Sequence, residues 1–318
     1  MTGILTLGRE LVAELTPWPA LVETLAAAFR EQCEMPERLH YDIRVPDAPP
    51  GVLLVMPAWN VGGLLGVKLV QVYPGNSSLG KPAVHGIYML ASAVDGTVLA
   101  MLDAEELTAR RTAAVSALAS TYLSRPASRR LLVMGTGRLA FNMAAAHASV
   151  RPLNQISIWG RSRDKAAHVA ARVAEELRMD AAVVGDLPDA ISRADIISTV
   201  TTTLDPILEG RFLMPGTHID LVGGFTPTMR EADDEVIRRS QVYVDNVATA
   251  PREAGDICGP VERGLMNARD IRGDLFGLCR GSVPGRSSEQ DITVFKSIGI
   301  ALEDLAAAGL AWTTLKPR

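Results

Sequence analysis

Beyond residue 130 the chain alternates short apolar runs, at 131–134, 156–159, 182–184, 196–200, 219–222 and 242–244, with stretches patterned as helices. Parallel βαβ units satisfy such alternation, with helices on both faces of a doubly wound sheet; few other arrangements do. The first run ends in Gly135-Thr136-Gly137-Arg138-Leu139-Ala140, a GxGxxA pattern between a predicted strand and a predicted helix. The first glycine makes the tight turn, the second admits a pyrophosphate to the backbone, and the small Ala140 lets helix and strand pack closely. The helix N-terminus then receives the phosphates, so the pattern predicts dinucleotide binding. After the second run comes Gly160-Arg161-Ser162-Arg163. An acid there would accept both ribose hydroxyls, whereas two guanidiniums and a hydroxyl suit a 2′-phosphate, so NADP(H) is expected over NAD(H). A plainer reading, in which these arginines solvate a loop before a helix capped by Ser162 or Asp164, stays open.

The first part of the chain is patterned differently. Thr16-Pro17 predicts a helix start, with Leu21, Leu25 and Phe29 at helical spacing and an end before Pro36. From Arg38 to about Asp103, runs such as GVLLVMPA, LLGVKLVQVY and TVLAMLDA are broken by Pro/Gly/Asn clusters and read as strands. A chain of 318 residues is long for one core. We therefore expect an α+β, strand-rich domain over 1–124 and a Rossmann-type α/β domain over 125–289, joined at 124–128. The stretch from about Gln290, with Val294, Ile298, Ile300, Leu302 and Leu305, is read as helical and assigned with 290–318 to the first domain.

Two cations stand in apolar surroundings. Lys68 shares a predicted strand face with Val70 and Val72, an expensive place for an ammonium unless an anion meets it. It can snorkel from an edge, hold a carboxylate, or exchange a proton. Arg111 lies in LTARRTAA, read as opening an Ala-rich helix, while its neighbour Arg110 points elsewhere and is expected at the surface. Two cations aimed at one cavity make a carboxylate clamp.

Bulk properties exclude more than they assign. A net charge of −4 gives no electrostatic reason to expect nucleic acid or an anionic membrane as partner. Cys33, Cys258 and Cys279 have no metal-ligand spacing and read as reduced thiols, so no metal is expected. With no apolar run long enough for a bilayer and no basic-then-apolar leader, a cytoplasmic location is expected.

Five blocks in order, GVLLVMPAWNVGGLLGVKLVQVYPGN, LDAEELTARRTAAVSALASTYL, LLVMGTGRLAFNMAAAH, GTHIDLVGGFTPTMRE and FKSIGIALEDLAAA, resemble the ornithine cyclodeaminase/mu-crystallin family over nearly the whole chain. The resemblance implies an NAD(P)-dependent enzyme acting on a small amino or imino acid. It also implies a homodimer formed through the first domains and a last helix that returns to the first domain. It matches Lys68 and Arg111 to catalytic and substrate-binding positions, and Arg38, His85, Phe225 and Ile298 to the substrate site, with a structural role for His85 equally open. For the cofactor it implies Gly135, Gly137, Arg138, Leu139, Arg161, Ser162, Arg163, Thr201, Val222 and Ser297.

Three departures from the family pattern stand out. Leu139 replaces a glutamine, Leu54 replaces a glutamate before Met-Pro, and Phe225 replaces the aspartate that follows the paired glycines. Without those two carboxylates an ornithine cyclisation lacks its acid/base groups. The expected activity is therefore NAD(P)H-dependent reduction of a cyclic imino acid of the Δ1-pyrroline-2-carboxylate or ketimine type. Cyclodeaminase, alanine-dehydrogenase-like and non-catalytic NADP(H)-binding readings stay open.

Overall fold

The computed structural model describes residues 4–315, and the chain divides into two compact units, Met1–Arg111 with Ile300–Arg318 and Thr112–Gly299. The divisions fall at 111/112 and 299/300, where the sequence suggested 124/125 and 289/290.

The first unit opens with β1 (Leu5–Leu7), α1 (Arg9–Leu15) and α2 (Trp18–Arg30). The sequence did not announce α1, and it misplaced the start of α2. Pro17 is the N-cap, and the Thr16 hydroxyl instead donates to the Val12 carbonyl at 2.6 Å, closing α1. Next come β2 (Leu39–Ile43), β3 (Gly51–Trp59), β4 (Leu64–Val72), β5 (Val84–Ser92) and β6 (Val98–Asp103), then α3 (Ala104–Leu123), which crosses the division. The strands form one sheet in the order β1-β6-β5-β4-β3-β2, antiparallel except for β1 against β6.

Strand alternation gives this sheet two unlike faces. Met56, Lys68, Tyr88 and Leu102 stand in register on one face, and all are buried. The other face carries Leu39, Tyr41, Leu69 and Ile87, exposed by 47%, 49%, 36% and 39%.

The second unit continues with β7 (Arg130–Met134), α4 (Arg138–Val150), β8 (Gln155–Trp159), α5 (Arg163–Leu177), β9 (Asp180–Val183), α6 (Leu187–Arg193), β10 (Ile196–Thr199) and β11 (His218–Leu221). It ends with α7 (Asp234–Arg239), β12 (Gln241–Val244), α8 (Ala250–Glu253), α9 (Gly255–Glu262), β13 (Gly273–Asp274), α10 (Leu275–Arg280) and β14 (Thr293–Lys296). All neighbours pair in parallel, in the order β13-β12-β14-β11-β10-β7-β8-β9. Its core includes Leu132, Ile197, Ile219, Val242 and Val294.

The stretch from Gln290 corrects the sequence reading. Thr293–Lys296 is not helical: it is a fully buried strand between β11 and β12, and helix α11 (Ala301–Leu315) starts only after Gly299 and belongs to the first unit. A strand covered on both faces reads as a continuous apolar run, which periodicity alone cannot separate from a buried helix. Helix α11 packs on α2 and on β3, β4 and β5 of the first sheet. Among the described residues no helix is long and apolar enough to cross a membrane.

Candidate functional site

The strand order of the second unit reverses between β7 and β10, and open α/β sheets bind ligands in the crevice at the carboxyl ends of such strands. Gly135 follows β7 with φ +138°, and its N–H donates to the Trp159 carbonyl at 2.8 Å. A Cβ there would lie 2.7 Å from Val200 Cγ2 and 2.8 Å from the Val200 carbonyl oxygen, so only glycine makes this turn. Gly137, the N-cap of α4, has no atom within 4 Å of where a Cβ would stand. That open backbone, at the start of a 13-residue helix whose first N–H groups lack intrahelical acceptors, fits a pyrophosphate. Ala140 is fully buried, Leu139 half-buried and Arg138 exposed.

After β8, Arg161 and Arg163 are exposed. Ser162 caps α5, accepting from the Lys165 N–H at 3.3 Å, which leaves its hydroxyl hydrogen to donate. A Cβ on Gly160 would come within 2.5 Å of Thr136 Cγ2, so any side chain there would require Thr136 to shift. The ends of β10, β11 and β14 bring Thr201, Val222, Ser297 and Ile298 to the same edge; Val222, Ser297 and Ile298 are buried. Asp245 holds the last of these loops, accepting the Ile298 and Gly299 N–H groups at 2.6 and 2.7 Å. Phe225 is 48% exposed.

In the first unit Lys68 meets the anion that its position on β4 demanded. Its Nζ lies 2.6 Å from Asp304 Oδ2, while Asp304 Oδ1 accepts from Arg111 Nε at 3.1 Å. Arg111 Nη1 donates to Glu303 Oε2 at 2.5 Å. All four side chains are buried, and both carboxylates are fully so. Burial pushes the Lys68 ammonium down from 10.5 to about 8; Asp304 pulls it up and Arg111 pushes it further down. Burial would raise the Asp304 carboxyl, yet Arg111 and Lys68 outweigh it and hold it below the ordinary range. Burial likewise disfavours the Arg111 charge, but Asp304 and Glu303 reverse that and raise its pKa.

These placements correct several sequence expectations. Arg111 does not open a helix: α3 begins at Ala104. Arg110 is not a surface residue. Only 9% exposed, it donates from Nε to the Thr16 hydroxyl at 2.8 Å and lies 4.0 Å over the Trp18 ring. His85 pairs with Gln71 across β4 and β5, which puts it exposed on the sheet face opposite Lys68. Arg38 is half-buried in the segment before β2.

Glu303 and Asp304 were missed as site residues. The signal was present in ALEDLAAA, where adjacent acids interrupt an apolar helix that turns out to be buried. Leu54 lies on the Lys68 face of β3, so the carboxylates facing that lysine come from α11 and none comes from position 54.

Comparison with known proteins gives a consistent result. The model of the ornithine cyclodeaminase/mu-crystallin family matches residues 5–316. An uncharacterised Schizosaccharomyces pombe protein is 44% identical over 96% of each chain, and the Δ1-pyrroline-2-carboxylate reductase of Paracoccus denitrificans is 35% identical over 88% of this chain and 89% of its own. Among solved structures, the Thermococcus litoralis Δ1-pyrroline-2-carboxylate reductase in complex with NADH and L-proline is similar at a TM-score of 0.91, with 30% identity over 98% of this chain and 97% of that one. An archaeal alanine dehydrogenase dimer with bound NAD is similar at 0.89, with 28% identity over 98% of this chain and 95% of that one.

The buried quartet makes a direct prediction for Lys68. With lysine labelled at ¹³Cε, its NMR titration should have a midpoint near pH 8. Asp304→Asn removes the attraction that favours the ammonium, so the midpoint should fall further. A midpoint at the ordinary lysine value in the unaltered protein would contradict the burial of this cation.

Proposed function

The chain belongs to the ornithine cyclodeaminase/mu-crystallin family, and from that premise we propose that it is an NAD(P)H-dependent reductase of a cyclic imino acid such as Δ1-pyrroline-2-carboxylate. The observation that carries this reading is a pair of buried cations without the family's two acid/base carboxylates. Lys68 and Arg111 are present, while Leu54 and Phe225 stand where those acids would. In this reading the second unit holds the dinucleotide through Gly135, Gly137 and the start of α4, with Thr201, Val222 and Ser297 at the nicotinamide end. Phe225 and Ile298 serve the substrate.

The nicotinamide, when bound, supplies the hydride. Lys68 and Arg111 take the substrate carboxylate. Arginine's planar fork suits a bidentate contact, and the ammonium keeps hydrogens beyond the one given to Asp304. An ammonium that titrates near pH 8 also supports Lys68 as the source of the proton for the ring nitrogen. Arg38 is assigned to the substrate on the family resemblance alone, and His85, on the far sheet face, is assigned a structural role.

Two finer assignments accompany this reading. Arg161, Ser162 and Arg163 favour NADPH over NADH, supported by glycine at position 160, where an NAD site would carry an acid. The uncovered apolar sheet face supports a homodimer, because a second copy presents the same apolar residues and a twofold contact buries both sets.

Three measurements check these readings. The enzyme should oxidise NADPH with Δ1-pyrroline-2-carboxylate and form at most a trace of proline from L-ornithine plus NAD⁺, since a lost acid/base group lowers rate by ~10²–10⁴. Proline and ammonia from ornithine at a comparable rate would restore the cyclodeaminase reading. NADPH binding without turnover of any cyclic imine or 2-oxo acid with ammonia would favour a non-catalytic binding protein. Arg161→Ala with Arg163→Ala should raise the apparent NADPH constant about tenfold or more and leave NADH use nearly unchanged; equal effects on both cofactors would refute the 2′-phosphate assignment. Leu69→Asp with Ile87→Asp should shift the sedimenting species from dimer to monomer, and a monomeric unaltered protein would end the dimer assignment.

A further inference from the structure

A buried carboxylate that the proposed chemistry does not use joins two loops of the second unit. Glu231 is fully buried. Its Oε1 accepts the Thr201 N–H at 2.6 Å and the Thr201 hydroxyl at 2.9 Å, and its Oε2 accepts the Gly223 N–H at 2.7 Å. Thr201 follows β10 and Gly223 follows β11, which are neighbours in the sheet. One rigid carboxylate therefore fixes both loop backbones at once.

Gly223 is part of the device. A Cβ there would lie 1.8 Å from the Thr201 carbonyl oxygen and 2.6 Å from Glu231 Oε1, so any side chain would drive the loops apart. Glu231 is itself held from behind. Its own N–H and that of Ala232 donate to Asp256 Oδ1 at 2.8 and 3.1 Å, and Asp256 Oδ2 lies 3.2 Å from Lys296 Nζ, with both of those side chains fully buried. Burial pushes the Glu231 carboxyl upward against the pull of Lys296. An ionised group in such surroundings is tolerated when its acceptor positions are filled, and here loop donors fill them.

A doubly wound sheet binds a dinucleotide across its switch point, one mononucleotide to each half. The half with β7 and β8 carries the glycine turn and the Arg161–Arg163 segment, which leaves the β10 and β11 half for the nicotinamide mononucleotide. We propose that Glu231 is a positioning residue for the nicotinamide end of the cofactor, locking the loops after β10 and β11 into one floor for that ring. This rests on the reading of the second unit as a dinucleotide-binding domain.

The test compares two ligands on the full-length protein by titration calorimetry: NADPH, and 2′-phospho-ADP-ribose, which lacks the nicotinamide. Glu231→Gln keeps the shape but turns an amide NH₂ toward a backbone N–H. The NADPH dissociation constant should rise about tenfold while the fragment binds as before. Unchanged NADPH binding, or equal loss of both ligands, overturns the proposal; a merely structural role predicts the second of these. Should the variant not fold, amide exchange on the unaltered protein decides. Segments 200–203 and 222–225 should gain protection together with NADPH and not with the fragment, and protection of one segment alone, or equal protection by the fragment, counts against the floor. Failure of the unaltered protein to bind NADPH, NADH or the fragment would instead overturn the dinucleotide reading itself, and the proposal with it.

Discussion

Asp304 is the residue on which the first unit turns. Fully buried, it gives one oxygen to Lys68 from β4 and the other to Arg111 from α3, and Glu303 beside it completes a quartet with no net charge. Desolvating these groups is costly, and their mutual attraction offsets the cost only while all four are present. Removing one partner of a buried pair typically costs ~3–5 kcal/mol because the other is left uncompensated. The quartet is therefore weak evidence for stability and stronger evidence for use. A unit that wanted only stability would fill the space with apolar side chains, whereas this one keeps two cations and two carboxylates in a buried site.

Burial also explains why the two cations differ. Arg111 stays charged, since two carboxylates outweigh its desolvation, whereas Lys68 is drawn toward neutrality by burial and by Arg111 itself. One cation is held charged and the other is drawn down to about 8. That division of labour follows from guanidinium and ammonium chemistry in one dry environment.

The sequence disclosed the parts of this molecule that depend on local pattern. The βα alternation, the GxGxxA turn at Gly135 and the strands around Lys68 are written in periods of two and in glycine placement, and the structure has them. What was hidden depends on long-range closure. Thr293–Lys296 reads as helix in the sequence because a strand covered on both faces shows no alternation. Arg110 reads as a surface residue because nothing near it in sequence announces Trp18 and Thr16. Glu303 and Asp304 sit 235 and 236 residues from Lys68, beyond any spacing rule, and their only local sign was two acids in an apolar run. Glu231 closes one of the family-like blocks, but its role was hidden, since its partners are two backbone N–H groups and a hydroxyl from other loops.

The placement of β14 has a consequence for how this chain is made. Strand β14 lies between β11 and β12, so the parallel sheet has a gap there until residues 293–296 have been made. The helix that follows it supplies both buried carboxylates of the other unit. A nascent chain stalled before residue 293 would thus carry an unfilled slot between two strand edges and two cations without their counter-ions. Neither unit can reach its native core by the usual order of N-terminal units first. Both must wait for the same stretch, residues 293–315, so one segment of polypeptide closes the sheet of one unit and the charge balance of the other.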